Sequence, residues 1–201
     1  MNFKLIFAAI IAACAGPALA QENCKAIKDD PARLACYDLA NGVSETTKLS
    51  GAGLGKWQKA VDTSKLTDEK NVFLHLESED PLPGRFGAAG TAELWLRCQE
   101  NKTSAFFTFN DNFMSDIQGY GTIDYRIDDH PMQKLRTSAS TDNKALGLWS
   151  GGTAIPFIKS LTNSQELVVR ATPFNASALT MTFNTSGLDS ALKELRETCH
   201  W

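Results

Sequence analysis

Ile123, Tyr125 and Ile127 alternate with Asp124, Arg126 and Asp128, which sorts apolar and charged side chains onto opposite faces of one extended segment. From Trp57 onward, short runs at 72–77, 92–98, 104–109, 122–128, 134–138 and 146–149 are each closed by turn residues and predict strands. Glu100-Asn101-Lys102 turns the chain between two of them, so that Trp95, Phe107 and Phe109 are expected on the buried face of an antiparallel pair. Two further strands are predicted at 166–172 and 179–185, where Leu179, Met181 and Phe183 share one face and Thr180, Thr182 and Asn184 the other. After Gly151-Gly152 the segment 154–161 predicts a short helix with Pro156 in its first turn. At the C-terminus, Leu188, Ala191, Leu192, Leu195 and Cys199 recur at helical spacing behind Ser186 as cap, with Asp189 three positions later. Strands that succeed one another without intervening helices imply a mainly β protein. The expected fold is an antiparallel β-sandwich or barrel-like sheet with a C-terminal helix and a short disulfide-pinned N-terminal helical segment.

That N-terminal segment starts at Asp30-Pro31, stops at Asn41-Gly42 and carries Cys36. Ahead of it, residues 1–20 have the parts of an export signal: Lys4, the apolar run 5–13, and Ala18-Leu19-Ala20 as a cleavage site before Gln21. The run is too short for a membrane span. Ile11-Ala12-Ala13-Cys14 imitates a lipoprotein processing site, but cleavage there would truncate the apolar run and leave Ala18-Leu19-Ala20 without a role. The expected organisation is a signal peptide at 1–20, a helical disulfide segment at 21–41, a Gly/Ser/Thr-rich linker at 42–55 and a β-rich domain at 56–201. The expected location is the periplasm.

Of the five cysteines, four survive removal of the leader, an even number in an oxidising compartment. Four cysteines allow three connectivities; the favoured one joins Cys24 to Cys36 and leaves Cys98 and Cys199 to clamp a separate folded unit. In the chain-entropy account the small loop contributes roughly 3 kcal/mol and the large one about 4.7 kcal/mol.

The formal charge of −3 becomes about −4 once Lys4 is gone, which argues against a nucleic-acid partner. Gly51-Ala52-Gly53-Leu54-Gly55-Lys56 has the wrong glycine spacing for a phosphate loop, and Trp57 stands where a hydroxyl residue would bind magnesium. The nucleophile elbow, zinc-helix and dinucleotide motifs are missing, and no cofactor is expected. His75, His130 and His200 are isolated in sequence, which speaks against a metal site. Glu77, Glu79 and Asp80, just before Pro81 and Pro83, read as a solvated acidic loop. The polar set with most content is Asp124, Arg126, Asp128 and Arg170, a predicted cross-strand ladder or recognition face.

Taken in order, Cys24, Ala32-Arg33-Leu34-Ala35-Cys36-Tyr37-Asp38, Trp57, Arg97-Cys98, Asp124-Tyr125-Arg126-Ile127-Asp128, Arg170 with Pro173-Phe174, Gly187-Leu188 and Cys199-His200-Trp201 resemble the VasI/TagO family of type VI secretion system-associated proteins. The resemblance spans almost the whole mature chain. It implies an accessory of a secretion apparatus in the bacterial envelope, with no established catalytic site to carry over, and an envelope or secretion-system protein as partner. Oligomeric state is not specified by it. Two other readings compete: an envelope glycan or peptidoglycan hydrolase using carboxylates such as Glu77 or Asp128, and an inhibitor or immunity-like protein that occupies a toxin's site.

Overall fold

The computed structural model describes residues 24–28, 33, 36–37, 53–85 and 87–201, and the chain divides into two compact units between Glu45 and Thr46. In the first unit Cys24, Lys25, Arg33, Cys36 and Tyr37 are helical, and Cys24 is bonded to Cys36 across a separation of 12 residues. The expected leader, the helix start at Asp30-Pro31, its stop at Asn41-Gly42 and the linker as far as residue 52 lie outside the described residues.

The second unit carries ten strands and two helices among its described residues: β1 (Gln58–Thr63), β2 (Lys70–Pro83), β3 (Ala89–Gln99), β4 (Lys102–Phe109), β5 (Thr122–Ile127), β6 (Gln133–Arg136), β7 (Ser138–Ala139), β8 (Ala145–Leu148), α1 (Gly151–Ser160), β9 (Glu166–Ala171), β10 (Leu179–Asn184) and α2 (Leu188–Thr198). They form two antiparallel sheets, one of six strands ordered β1-β2-β3-β4-β8-β7 and one of four ordered β10-β9-β5-β6. The protein is therefore mainly β, as the alternation predicts.

One buried cluster draws on both sheets and both helices. From the larger sheet come Leu74, Leu76, Leu94, Leu96, Phe107 and Phe109; from the smaller, Ile123, Tyr125, Val169, Met181 and Phe183. Phe157 of α1 meets Phe107 and Tyr125 edge-on, with centroids 6.1 and 5.6 Å away. On α2 the predicted stripe Leu188, Ala191, Leu192 and Leu195 is buried, and Cys199 behind it is bonded to Cys98 of β3. Lys59 and Lys70 reach across from β1 and β2 to Glu194, each at 2.6 Å. These ion pairs hold Glu194 below the usual carboxylate range, with the Lys59 hydrogen bond as the largest cause.

Several local expectations change. Trp95 points away from the core, because Ala92, Leu94, Leu96 and Cys98 claim the inner face of β3 and a strand offers one face to alternate residues. The β3–β4 turn is one residue shorter than expected: Glu100 and Asn101 both have positive φ, 47° and 55°, as a two-residue hairpin requires, and Lys102 already pairs with Gln99 as the first residue of β4. The single strand expected at 134–138 is two, β6 in the smaller sheet and β7 in the larger. Between them buried Thr137 bonds Gly121 O through both N and Oγ1 and turns the chain from sheet to sheet. Helix α1 starts earlier than predicted, with Ser150 as N-cap and Gly151-Gly152 as its first turn, so Pro156 lies inside the helix.

Gly187, not Ser186, is the N-cap of α2, at φ 87°. A Cβ there would lie 2.5 Å from the Leu54 carbonyl carbon, and one on Gly55 would lie 2.1 Å from Ser186 O. The two glycines let residues 54–55 and 186–187 touch backbone to backbone, and Trp57 follows as a buried anchor whose Nε1 donates to Thr185 O at 3.2 Å. Leu54 and Gly55, at the end of the expected linker, are thus packed into the β-rich unit. The acidic segment 77–80 belongs to β2, not to a loop: Asp80 accepts a hydrogen bond from Thr182 N of edge strand β10 at 2.8 Å, and Glu79 pairs with Lys56.

Candidate binding face

The outward residues of β3 are Glu93, Trp95 and Arg97, and register extends each into a row across the larger sheet. Trp95 lies opposite His75 of β2 and Phe106 of β4, and Phe106 lies opposite Gly147 of β8. The rings of His75, Trp95, Phe106 and Trp149 form a near-parallel series, with centroids 4.6, 6.1 and 5.2 Å apart. Gly147 makes room for the end of this series. A Cβ there would lie 2.6 Å from Phe106 Cβ and 2.7 Å from Trp149 Cζ2. Trp149 Nε1 donates to Ser138 O of β7 at 3.0 Å, which fixes the ring against the sheet.

Arg97 borders this row. Its Nε donates to Ser104 Oγ at 2.8 Å, and its guanidinium carbon sits 5.2 Å from the centroid of Phe106 and 5.8 Å from that of Trp149. Burial pushes its pKa below the ordinary arginine value. On the opposite border Glu77 and Glu93 face each other across β2 and β3. Glu93 Oε2 accepts from Trp95 Nε1 at 2.8 Å and from Thr108 Oγ1 at 3.2 Å. His75, which sequence spacing isolates, joins these two carboxylates: one ligand atom from each of the three lies within 4.8 Å of the others. One imidazole and two carboxylates are a donor set that suits a divalent transition metal.

The polar set predicted from sequence lies on the smaller sheet and separates into three parts. Asp124 of β5 stands directly opposite Arg170 of β9 and Lys134 of β6. It accepts from Arg170 Nε at 3.1 Å and from Lys134 Nζ at 2.8 Å, a three-residue ladder across three strands. Arg126 does not join it; its Nη2 lies 3.7 Å from Glu166. Asp128 leaves the strand altogether. At φ 47° it forms the turn after β5, and its Oδ1 accepts from the backbone N–H groups of Gln165 and Glu166 at 3.0 and 2.9 Å. His130, in the same turn, places Nδ1 3.0 Å from Ile127 O.

The ladder has a pH signature. Hydrogen bonds from Lys134 and then Arg170 hold Asp124 below the usual carboxylate range. A lowered folded-state pKa stabilises above the unfolded value near 3.9, and this contribution is lost as pH falls through the folded value. The Asp124 side chain is 18% exposed and its partners 68% and 55%, so screening keeps the contribution small. Asp124→Asn is expected to cost about 1 kcal/mol at pH 7, with the gap to the parent protein closing as the pH falls below the unfolded carboxylate value and the folded carboxylate takes up its proton. Urea denaturation of both proteins across pH 2.5–7 checks this; a gap that stays constant with pH would remove the ion pair as its cause.

The aromatic face is hard to see in the sequence for one reason: Trp95, Phe106 and Trp149 look like core residues when hydrophobicity is read position by position. The alternation Glu93-Trp95-Arg97 against Leu94-Leu96 carries the signal, since a tryptophan flanked by charges at spacing two shares their outward face.

These features define a class: a β-sandwich clamped by a disulfide, with a built aromatic face on one sheet and a charged ladder on the other. The family described as "Type VI secretion system VasI, EvfG, VC_A0118" matches residues 23–201. The chain belongs to this family and is a type VI secretion system-associated protein. Among curated proteins, none matches the chain in sequence. Among solved structures, the crystal structure of invasion associated protein B from Bartonella henselae is similar at a TM-score of 0.46 and 10% identity, covering 74% of this chain and 96% of that one. No helix among the described residues is long and apolar enough to cross a membrane.

Proposed function

We propose that this protein is an exported, periplasmic accessory of a type VI secretion apparatus, cleaved after Ala20, and that it acts by binding a protein or envelope component rather than by catalysis. The binding surface is the outer face of the larger sheet. The observation that carries this reading is the near-parallel series His75, Trp95, Phe106 and Trp149 on the solvent side of that sheet, with Gly147 leaving space for it. Aromatic rings and arginine dominate the energetics of protein interfaces, because they bring large, stiff contact areas with a polar edge. On a solvated sheet face they bring no comparable benefit to folding. The two disulfides are consistent with an oxidising compartment.

Glycan hydrolysis asks for two carboxylates on either side of a bound sugar. Glu77 has Glu93 beside it on an open sheet face, and Asp128 belongs to the turn after β5, in the other sheet. Purified protein is accordingly expected to release no muropeptides from peptidoglycan.

Trp149→Ala tests the binding face. It is expected to weaken capture of the partner from periplasmic extract at least tenfold, as loss of an interface anchor does, with the circular dichroism spectrum unchanged. Identical capture of a secretion-system component by the parent and variant proteins, or unaltered secretion after deletion of the gene, would refute the reading.

A further inference from the structure

We propose that the trough between Arg97, Phe106, Trp149 and the turn after β7 receives a carboxylate from an acidic peptide segment of a protein partner, with the Arg97 guanidinium as its counter-ion. This inference rests on the binding face described above and names its ligand.

Arg97 is held by three groups, Ser104, Phe106 and Trp149, and none of them carries a negative charge. Lys56, Lys59, Lys70, Arg126, Lys134, Lys144 and Arg170 each have an acidic partner within 4.0 Å. Arg97 has none among the described residues, although it is half-buried where those cations are mostly exposed. A cation withdrawn from water without a counter-ion is costly, and an anion supplied from outside removes the cost. The Nε–Ser104 bond and the flanking rings fix the plane of the guanidinium and leave its terminal N–H groups for a bidentate acceptor.

The surroundings select the kind of anion. The trough has a volume of about 540 Å³, and its walls include Phe106, Ala139, Ala145 and Trp149, which suit apolar side chains flanking a single charge. Lys144, the other cation of the trough, is already paired with Asp111 at 2.9 Å, and Asp142 adds a negative charge to the rim. A phosphate dianion or an anionic membrane would meet that rim and a net-acidic chain. One carboxylate between apolar neighbours meets a single matching cation.

The test compares two peptides on the exported chain, acetyl-Leu-Glu-Leu-amide and its isostere acetyl-Leu-Gln-Leu-amide, with inorganic phosphate as a third probe. Nuclear magnetic resonance of the Arg97 Nε–H and Trp149 indole N–H signals reports binding. The glutamate peptide is expected to shift both signals saturably and to bind at least tenfold more tightly than the glutamine peptide. Arg97→Gln should bring the two peptides to equal affinity. Equal affinities on the unaltered protein, no shift with either peptide, or shifts with phosphate as strong as those with the glutamate peptide would overturn the proposal; the last would point to a phosphate-bearing ligand. If Trp149→Ala abolishes partner capture while Arg97→Gln leaves it intact, the binding face stands and the carboxylate assignment falls.

Discussion

Replacing Cys98 and Cys199 together by alanine is expected to lower stability by about 4–5 kcal/mol and the thermal midpoint by roughly 10–20 °C. The disulfide closes a loop with a sequence separation of 101 residues, so its removal returns a large conformational freedom to the unfolded chain. In the folded state little should move. Helix α2 keeps its buried leucine stripe, the Glu194 contacts with Lys59 and Lys70, and the hydrogen bond from Trp201 Nε1 to Thr103 Oγ1 at 2.9 Å. Arg196 and Lys159 also lie over the Trp201 ring, at 5.4 and 5.7 Å. The variant should therefore retain the native spectrum at room temperature and unfold earlier on heating. Differential scanning calorimetry of the oxidised parent and the double variant decides the matter, and a loss below about 1 kcal/mol would mean that the bond constrains nothing the unfolded chain does not already restrict.

Phe107→Ala is expected to cost about 3–5 kcal/mol. Phe107 is 1% exposed and joins three parts of the fold: Phe109 on its own strand, Phe157 of α1 and Phe183 of β10, with centroids 6.4, 6.1 and 5.9 Å away. Those rings are anchored on different elements, so the hole left by alanine cannot close by one small shift. Its neighbour Phe106 stands on the outer face between Trp95 and Trp149, and Phe106→Ala should cost under about 2 kcal/mol, with its main effect on partner capture. Urea denaturation of the pair gives both values. Equal costs would contradict the assignment of inner and outer faces to β4.

Local pattern marks some elements of the fold and leaves others unmarked. Strands with clear alternation, such as 122–127 and 179–184, and the leucine stripe of α2 announce themselves, because one buried face imposes a period of two or of 3.6. Strand β1, Gln-Lys-Ala-Val-Asp-Thr, has no such period; it is a strand because β2 offers it an edge to pair with. The break at Thr137 was invisible for the same reason, since the partners of β6 and β7 lie in different sheets.

The candidate site divides in the same way. Charge alternation marks Asp124 and Arg170, and register sets them directly opposite each other. Asp128 has the same periodicity yet falls in the turn, because its carboxylate is taken by two backbone N–H groups. Arg97 and Trp149 are 52 positions apart, and no local pattern links them. They meet because β4 and β8 pair, and because Gly147 leaves space beside Phe106.

The mainly β class, the C-terminal helix with its apolar face and the β3–β4 hairpin are legible in the chain without its fold. Each follows from interactions between residues near one another in the chain, or from composition. The order of the strands, the split between two sheets, the outward turn of Trp95 and the assembly of the aromatic face come from long-range pairing. These depend on which distant segment supplies the partner for each backbone edge and each buried surface, and hydrophobic alternation names the faces of a strand without naming what will cover them.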